Sequence, residues 1–91
     1  MGIKRYHLLI KGRVQGVGYR MSTQIAAQKI GLTGWVRNLS DGQVEIVAEG
    51  DLMQLKQFVD WAWQGPRFAQ VTDITINEQP ATGEFETFEI H

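Results

Sequence analysis

Hydrophobic and polar residues alternate along residues 4–11, and this period of two predicts a β-strand with one buried face. Tyr6, Leu8 and Ile10 share the face that we expect to point into the core. The opposite face carries, in chain order, Arg5, His7, Leu9 and Lys11. We interpret His7 on this wetter face as an ordinary surface histidine.

Two later segments have the period of an α-helix instead. In the first segment, small or apolar residues recur every three or four positions and Gly31 marks the end; the stripe is Tyr19, Thr23, Ala27 and Ile30. Asp51 and Gln54 resemble a capping box at the start of the second segment, and Gly65-Pro66 ends it. The stripe predicted to face the core there is Leu52, Leu55, Val59 and Ala62.

The remaining patterns predict strands. Residues 35–39 and 43–48 form the arms of a hairpin around the turn signal Asp41-Gly42, and further strands follow near 71–77 and 85–90. The element order is βαββαβ plus a short C-terminal strand, which favours an α+β, ferredoxin-like two-layer sandwich. We expect an antiparallel sheet in the order 4-1-3-2, covered on one face by two helices.

The size and composition of the chain exclude several kinds of functional site. The 91 residues predict a single domain over 1–91, and the lack of cysteine excludes disulfides and thiolate metal sites. His7 and His91 lie at opposite ends of the chain, so we expect no metal and no cofactor. No apolar run is long enough to span a membrane, and the start of the chain does not resemble a signal peptide. We therefore expect a cytoplasmic protein and a monomer.

The net charge of −1 conceals an uneven distribution of charged residues. Residues 1–40 contain seven Lys and Arg residues and no acid, whereas residues 41–91 contain all ten acids. If the two halves of the chain lie apart in space, this uneven charge distribution predicts a basic patch. If they interleave, the positive and negative charges neutralise each other. The sequence leaves both possibilities open.

The segment with the clearest functional motif is residues 12–20, GRVQGVGYR, between the first predicted strand and the first predicted helix. Its glycines allow a tight turn, and successive N–H groups at a helix start can bind an anion. Arg20 adds a permanent forked cation suited to phosphate oxygens. The segment predicts a phosphate-binding loop, although glycines that serve only the turn are the alternative.

Residues 12–20 resemble the first signature of the acylphosphatases, and residues 34–45, GWVRNLSDGQVE, resemble the second. The resemblance spans essentially the whole chain and implies a ferredoxin-like sandwich that hydrolyses acyl phosphates to a carboxylate and inorganic phosphate. Met21 and Ser22 follow Arg20, whereas the larger carbamoyltransferase-like maturation proteins typically have proline and an aromatic residue there. This difference favours the small stand-alone enzyme.

The resemblance also implies the site residues. Arg20 would bind the phosphate group and Asn38 would position the attacking water. The phosphate-binding loop would comprise Gln15, Gly16, Val17, Gly18, Tyr19 and Arg20. Without the resemblance, Asn38 is an asparagine that stabilises the turn at Asp41-Gly42. We interpret Arg37 as a solvated charge on the opposite sheet face, and Arg13 as a residue that shapes the loop or steers the substrate.

A carboxylate leaves without protonation at neutral pH, so an acylphosphatase needs neither histidine nor metal. The expected partners are an acyl phosphate substrate and inorganic phosphate or sulfate as competing anions, with no nucleic acid and no membrane. A non-catalytic anion-binding or regulatory module of the same fold is the alternative function. RNA binding on the sheet ranks lower, because the aromatic-rich motif of RNA-recognition domains is missing.

Overall fold

The computed structural model describes residues 2–91 and contains one five-stranded sheet and two helices. The elements are β1 (Lys4–Arg13), α1 (Tyr19–Ile30), β2 (Thr33–Asn38), β3 (Val44–Gly50), α2 (Leu52–Gln64), β4 (Gln70–Pro80) and β5 (Phe88–Ile90). The strand order is β4-β1-β3-β2-β5, which confirms the predicted ferredoxin-like arrangement. None of the helices in this part of the chain is long and apolar enough to cross a membrane.

The sheet is mixed, so the expectation of a purely antiparallel sheet is wrong in one detail. β5 pairs with β2 in parallel, with Phe88 opposite Gly34 and Ile90 opposite Val36. The reason is the path of the chain. β4 ends at Pro80, at the same end of the sheet where β2 begins, and residues 81–87 cross that end before β5 starts. β5 consequently runs in the direction of β2.

The core lies between the sheet and the helices. The predicted inward residues Leu8 and Ile10 of β1 are fully buried, as are the residues beside them on β3, Val44 and Ile46. Helix α1 contributes Tyr19, Thr23, Ala26 and Ala27. The alternation along β1 and most of the α1 stripe are therefore confirmed.

The predicted buried face of α2 needs a correction at its start. Leu52 is 39% exposed, and the residues that α2 buries are Leu55, Phe58 and Ala62. Leu52 lies in the first turn of the helix. Phe58 lies three residues after Leu55 and four before Ala62, and its ring packs 6.3 Å from that of Phe88 and 6.0 Å from that of Trp61, measured between centroids.

Candidate active site

The phosphate-loop prediction falls on the connection between β1 and α1, beside the end of β2. A cavity of about 260 Å³ opens there. Its lining includes Gly16, Gly18 and Arg20 from the loop and helix α1, and Asn38 from the last position of β2. The structure thus brings together two predicted catalytic side chains that lie 18 positions apart in the sequence.

The backbone of the loop adopts a conformation that requires glycine. Gly16 has φ 77° and Gly18 has φ 79°, values that side-chain-bearing residues rarely adopt. A Cβ atom built on either residue would meet no atom within 4 Å. These glycines are therefore needed for the turn rather than for close packing, and the space in front of them is open to a ligand.

Helix α1 begins without a cap of its own. Gly18 is its N-cap residue and supplies no side-chain hydrogen bond, and the first turn contains no acidic residue. The first N–H groups of a helix have no acceptor within the helix, so this end presents free donors and partial positive charge. Helix α2 differs, because Asp51 accepts a hydrogen bond from the N–H of Gln54 and completes a capping box.

Arg20 is exposed and forms no ion pair with any residue that the structure describes. Among the other basic residues of the first half, three are paired with acids of the second half, whereas Lys11, Arg13 and Lys29 form no ion pair among the described residues. Lys4 lies 3.3 Å from Glu78, Arg5 contacts Glu49 and Glu84, and Arg37 contacts Glu45 at 2.6 Å. The two halves of the chain therefore interleave, and the uneven charge distribution is partly neutralised in space.

The pairing of Arg37 corrects its interpretation as a merely solvated charge. Its Nε atom donates to Glu45, which also contacts His7 Nε2 at 2.7 Å. Burial alone would raise the pKa of the Glu45 carboxyl, but the hydrogen bonds from His7 and Arg37 hold that pKa below its usual value. His7 is half-buried in this cluster. Arg37 lies on the sheet face opposite Asn38, as the alternation along β2 predicts.

Gln15 uses its side chain to join two segments. Its Nε2 atom donates to the carbonyl oxygens of Leu39, at 2.8 Å, and Gln43, at 2.9 Å. These acceptors flank the β2–β3 turn, so the loop is tied to the hairpin that carries Asn38. What Gln15 can offer a phosphate is consequently its backbone N–H.

Tyr19 lines the cavity, but its side chain is part of the core. Its ring is buried and its hydroxyl donates to the carbonyl oxygen of Ala62 at 2.7 Å. Burial raises the pKa of the Tyr19 phenol far above its ordinary value, so this side chain stays protonated and serves the core. Val17 is half-buried and packs against the same core. Like Gln15, these two residues present only backbone groups to an anion.

The surroundings of Asn38 help to distinguish its two expected roles, stabilisation of the turn and positioning of a water. The turn beside it is held by Asp41, whose carboxylate accepts from Gln43 N at 3.0 Å and from Gln43 Nε2 at 2.7 Å. Those hydrogen bonds lower the pKa of the Asp41 carboxyl. The Oδ1 atom of Asn38 is shielded from solvent and accepts no hydrogen bond from the described residues. A buried acceptor without a donor is costly, so turn stabilisation does not account for this side chain.

Three lining residues were not predicted as site residues, namely Val14, Met21 and Ile90, and of these Val14 is buried. Met21 follows Arg20 directly, and Ile90 comes from β5 at the far end of the chain. Their apolar side chains carry no chemical motif, so the sequence offered only their hydrophobicity as a signal. Among the described residues, no group of three or more His, Cys, Asp or Glu side chains is arranged to hold a metal ion.

Comparisons with known proteins agree with this architecture. The acylphosphatase family model matches residues 6–90. An acylphosphatase of Marinobacter nauticus is 56% identical over 88 residues, covering 97% of this chain and 96% of its own. One from Methylococcus capsulatus is 50% identical over the same coverage. The crystal structure of acylphosphatase from Bacillus subtilis superimposes with a TM-score of 0.94 at 42% identity, covering 97% of this chain and 98% of that one.

Proposed function

The chain belongs to the acylphosphatase family, and on that premise we propose that the Gln15–Arg20 loop holds the substrate phosphate while Asn38 positions the attacking water. The activity is the hydrolysis of acyl phosphates, which are small-molecule substrates. None of the comparisons favours a non-catalytic module of this fold.

The observation that carries the proposal is the meeting of three unsatisfied groups in one cavity. The start of α1 has free N–H donors, Arg20 has no acidic partner among the described residues, and Asn38 has an unpartnered oxygen. A phosphate group is an acceptor with negative charge, so it satisfies the first two. The Asn38 amide lines the same cavity and carries both a donor and an acceptor group, with which it can orient a water.

The proposed ground state places the three non-bridging phosphoryl oxygens among the N–H groups of Gln15, Gly16, Val17, Gly18 and Tyr19 and the guanidinium of Arg20. Phosphoryl transfer depends mainly on positioning and on stabilising charge at these oxygens. Fixed backbone dipoles and a guanidinium supply that stabilisation without reorganising during the reaction.

In the proposed chemical step, a water held by Asn38 attacks phosphorus in line with the bond to the acyl oxygen. The new P–O bond forms as the old one breaks, and the acyl group leaves as a carboxylate with the electron pair of the broken bond. A phosphate oxygen takes the proton that the water loses. The products are RCOO⁻ and H₂PO₄⁻, which balance the substrate RCO–OPO₃²⁻ and one water.

The proposal includes several properties predicted from the sequence. Inorganic phosphate and sulfate compete with substrate, because they occupy the position of the transferring group. The protein acts as a cytoplasmic monomer with one domain over residues 1–91, without cofactor, and without nucleic acid or membrane as a partner.

Kinetics with benzoyl phosphate test the assignment of the two side chains. Arg20→Ala should lower kcat/KM by a factor on the order of 10³ or more, and Arg20→Lys should recover little because the fork is lost. Asn38→Ala should lower kcat by a factor on the order of 10²–10³ with a much smaller change in KM, since its partner is the water.

The chain offers matched controls for both variants. Arg67→Ala removes an exposed arginine that does not line the cavity, and Asn77→Ala removes an exposed asparagine from β4. Both controls should keep wild-type kcat/KM. Wild-type activity in Arg20→Ala, or a defect of Asn38→Ala confined to KM, would contradict the proposed roles.

A further inference from the structure

The cavity has an apolar side as well as a polar one. Met21 is 63% exposed and Ile90 is 38% exposed, yet both line the same cavity as Arg20 and Asn38. The fold therefore leaves two large apolar side chains accessible at the place where a substrate would enter. Exposed apolar surface next to convergent polar groups is typical of a ligand site.

The strand register defines how these side chains lie relative to the chemistry. Ile90 is opposite Val36, and Val36 is fully buried beneath the helices. Because side chains two residues apart share a face, Ile90 and Asn38 lie on the helix side of the sheet. Met21 is the third residue of α1 and comes directly after Arg20.

The strand that carries Ile90, β5, is fixed in position by hydrogen bonds. His91 N–H donates to Val36 O at 2.8 Å, and Gly34 N–H donates to Thr87 O at 3.0 Å. From α1, the Nε2 atoms of Gln24 and Gln28 donate to Phe88 O at 3.1 and 3.3 Å. β5 is thus attached both to β2 and to α1, and the apolar side of the cavity is preformed.

The size of the cavity leaves room beside a phosphate group. Its volume of about 260 Å³ equals that of roughly nine water molecules at about 30 Å³ each. A phosphate group with its bridging oxygen has five non-hydrogen atoms. If the proposed function holds and that group lies on the loop, the remaining space beside Met21 and Ile90 is large enough for the first atoms of the acyl group.

The charges around this remaining space determine which acyl groups it favours. Arg20 is the single charged residue among the described residues that line the cavity, and the proposed function assigns it to the phosphate. A second anionic group on the acyl chain would lose water there without gaining a cation. An apolar acyl chain would instead gain by burial.

From these observations we infer that Met21 and Ile90 form the acyl-group site and that this site selects uncharged, apolar acyl phosphates. The inference rests on the proposed function, because the phosphate position sets where the acyl group lies. It names a substrate class, namely aliphatic and aromatic acyl phosphates without a second charge.

One test compares butyryl with acetyl phosphate, which differ by two methylene groups. Each buried methylene contributes roughly a fourfold gain, so kcat/KM should favour butyryl phosphate by up to about sixteenfold in the wild type. Met21→Ala and Ile90→Ala should each reduce that ratio. If Ile90→Ala does not fold, Ile90→Val takes its place with a smaller reduction.

An exposed methionine and an exposed isoleucine outside the cavity serve as controls. Met53 is 78% exposed on α2 and Ile25 is 59% exposed on α1, and neither lines the cavity. Met53→Ala and Ile25→Ala should leave the butyryl-to-acetyl ratio at its wild-type value. Competitive inhibition by inorganic phosphate should be unchanged in Met21→Ala, because phosphate has no acyl group.

A second test introduces a positive charge, which should shift the substrate preference toward a negatively charged acyl group. Butyryl and succinyl phosphate have the same number of carbons, and succinyl phosphate ends in a carboxylate. Met21→Lys should raise the succinyl-to-butyryl ratio of kcat/KM by roughly fivefold, a change expected for opposite charges about 4 Å apart in water. Any effect of the lysine on the shared phosphate group cancels in the ratio, and Met53→Lys should leave the ratio unchanged.

The outcomes separate this inference from the proposed function. Wild-type kcat/KM in Arg20→Ala would overturn the proposed phosphate site itself. Loss of activity in Arg20→Ala, combined with unchanged substrate ratios in Met21→Ala, Ile90→Ala and Met21→Lys, would overturn the acyl-group site alone. A wild type that prefers succinyl to butyryl phosphate would also overturn it.

Discussion

The Gln15 side chain connects the two halves of the active site. Its Nε2 atom donates to Leu39 O and Gln43 O, on both sides of the turn that follows Asn38. The proposed phosphate loop and the proposed water-binding residue are therefore held in register by one amide. Small displacements of reacting groups cause large losses of rate, so we expect this amide to act as a positioning group.

Gln15→Ala should lower kcat by up to about 10²-fold, because Asn38 and the phosphate loop lose their shared anchor. Inhibition by inorganic phosphate should change much less, since the backbone donors and Arg20 remain. Steady-state kinetics with benzoyl phosphate and a phosphate inhibition constant measure both effects. Gln79→Ala, at an exposed position of β4, is the control, and wild-type kcat in Gln15→Ala would contradict the positioning role.

At the scale of secondary-structure elements, the local signals in the sequence were sufficient for most of the fold. The alternation in β1 predicted its buried face, and Asp51 with Gln54 predicted the capped start of α2. These features depend on neighbours within a few residues. They are the ones that a single sequence can reveal.

Features that depend on distant contacts were not predictable in the same way. Ile90 reaches the cavity because residues 81–87 cross the end of the sheet, and nothing local in 85–90 indicates a three-residue strand parallel to β2. Gln15 was predicted for the phosphate loop, but its side-chain acceptors lie 24 and 28 residues away. The roles of Arg20 and Asn38 followed from the family resemblance, and they remain predictions.

The crossing segment is held at the sheet end by Glu49, which is 3% exposed. Its carboxylate accepts from Arg5 Nε at 2.7 Å, Thr82 N at 3.0 Å and Gly83 N at 3.1 Å. Burial alone would raise the pKa of the Glu49 carboxyl. The hydrogen bonds from Thr82, Arg5 and Gly83 outweigh burial and hold that pKa below its ordinary value of 4.5.

A lowered pKa in the folded state makes this contact pH-dependent. The ionised carboxylate stabilises the fold fully above its ordinary pKa, and the stabilisation disappears as pH falls through the lowered value. Glu49→Gln should lower the free energy of unfolding at pH 7 by roughly 1–3 kcal/mol, and the gap to wild type should narrow in acid. Denaturant melts from pH 7 to pH 3 measure this.

Glu86→Gln is the control for this pH series, because Glu86 is an exposed acid of the same segment. Its unfolding free energy should follow that of the wild type at every pH. A gap between Glu49→Gln and wild type that stays constant down to pH 3 would contradict the assigned role of the charge.

At the scale of the whole molecule, ion pairs neutralise part of the positive charge of the first half, and Lys11, Arg13 and Lys29 form no ion pair among the described residues. Lys4, Arg5 and Arg37 are paired with acids from the second half, whereas Arg20 has no such partner among the described residues. We expect the loop and the start of α1 to attract an anionic substrate at short range, with the unpaired basic residues adding to the field.

Activity should also be independent of added metal. The described residues contain no cluster of three or more metal-binding side chains, and the proposed charge stabilisation comes from N–H groups and Arg20. Benzoyl phosphate turnover should persist in saturating EDTA. Complete loss of turnover that Mg²⁺ or Zn²⁺ restores would contradict this mechanism.

The central claim is that the Gln15–Arg20 loop binds a phosphate group only in the folded protein. The most direct measurement is the melting temperature with and without inorganic phosphate, for wild type and Arg20→Ala, with potassium chloride at matched ionic strength. At about ten times Kd, binding stabilises the native state by roughly 1.4 kcal/mol. For a domain of this size that corresponds to several degrees, at about 4–8 °C per kcal/mol.

We expect this phosphate-specific rise in wild type and in Arg67→Ala, an arginine variant outside the cavity, and almost no such rise in Arg20→Ala. Phosphate also stabilises proteins non-specifically through exclusion from their surface, and the Arg20→Ala curve measures that contribution. An equal phosphate-induced rise in wild type and Arg20→Ala would contradict the claim that the anion is bound by this loop.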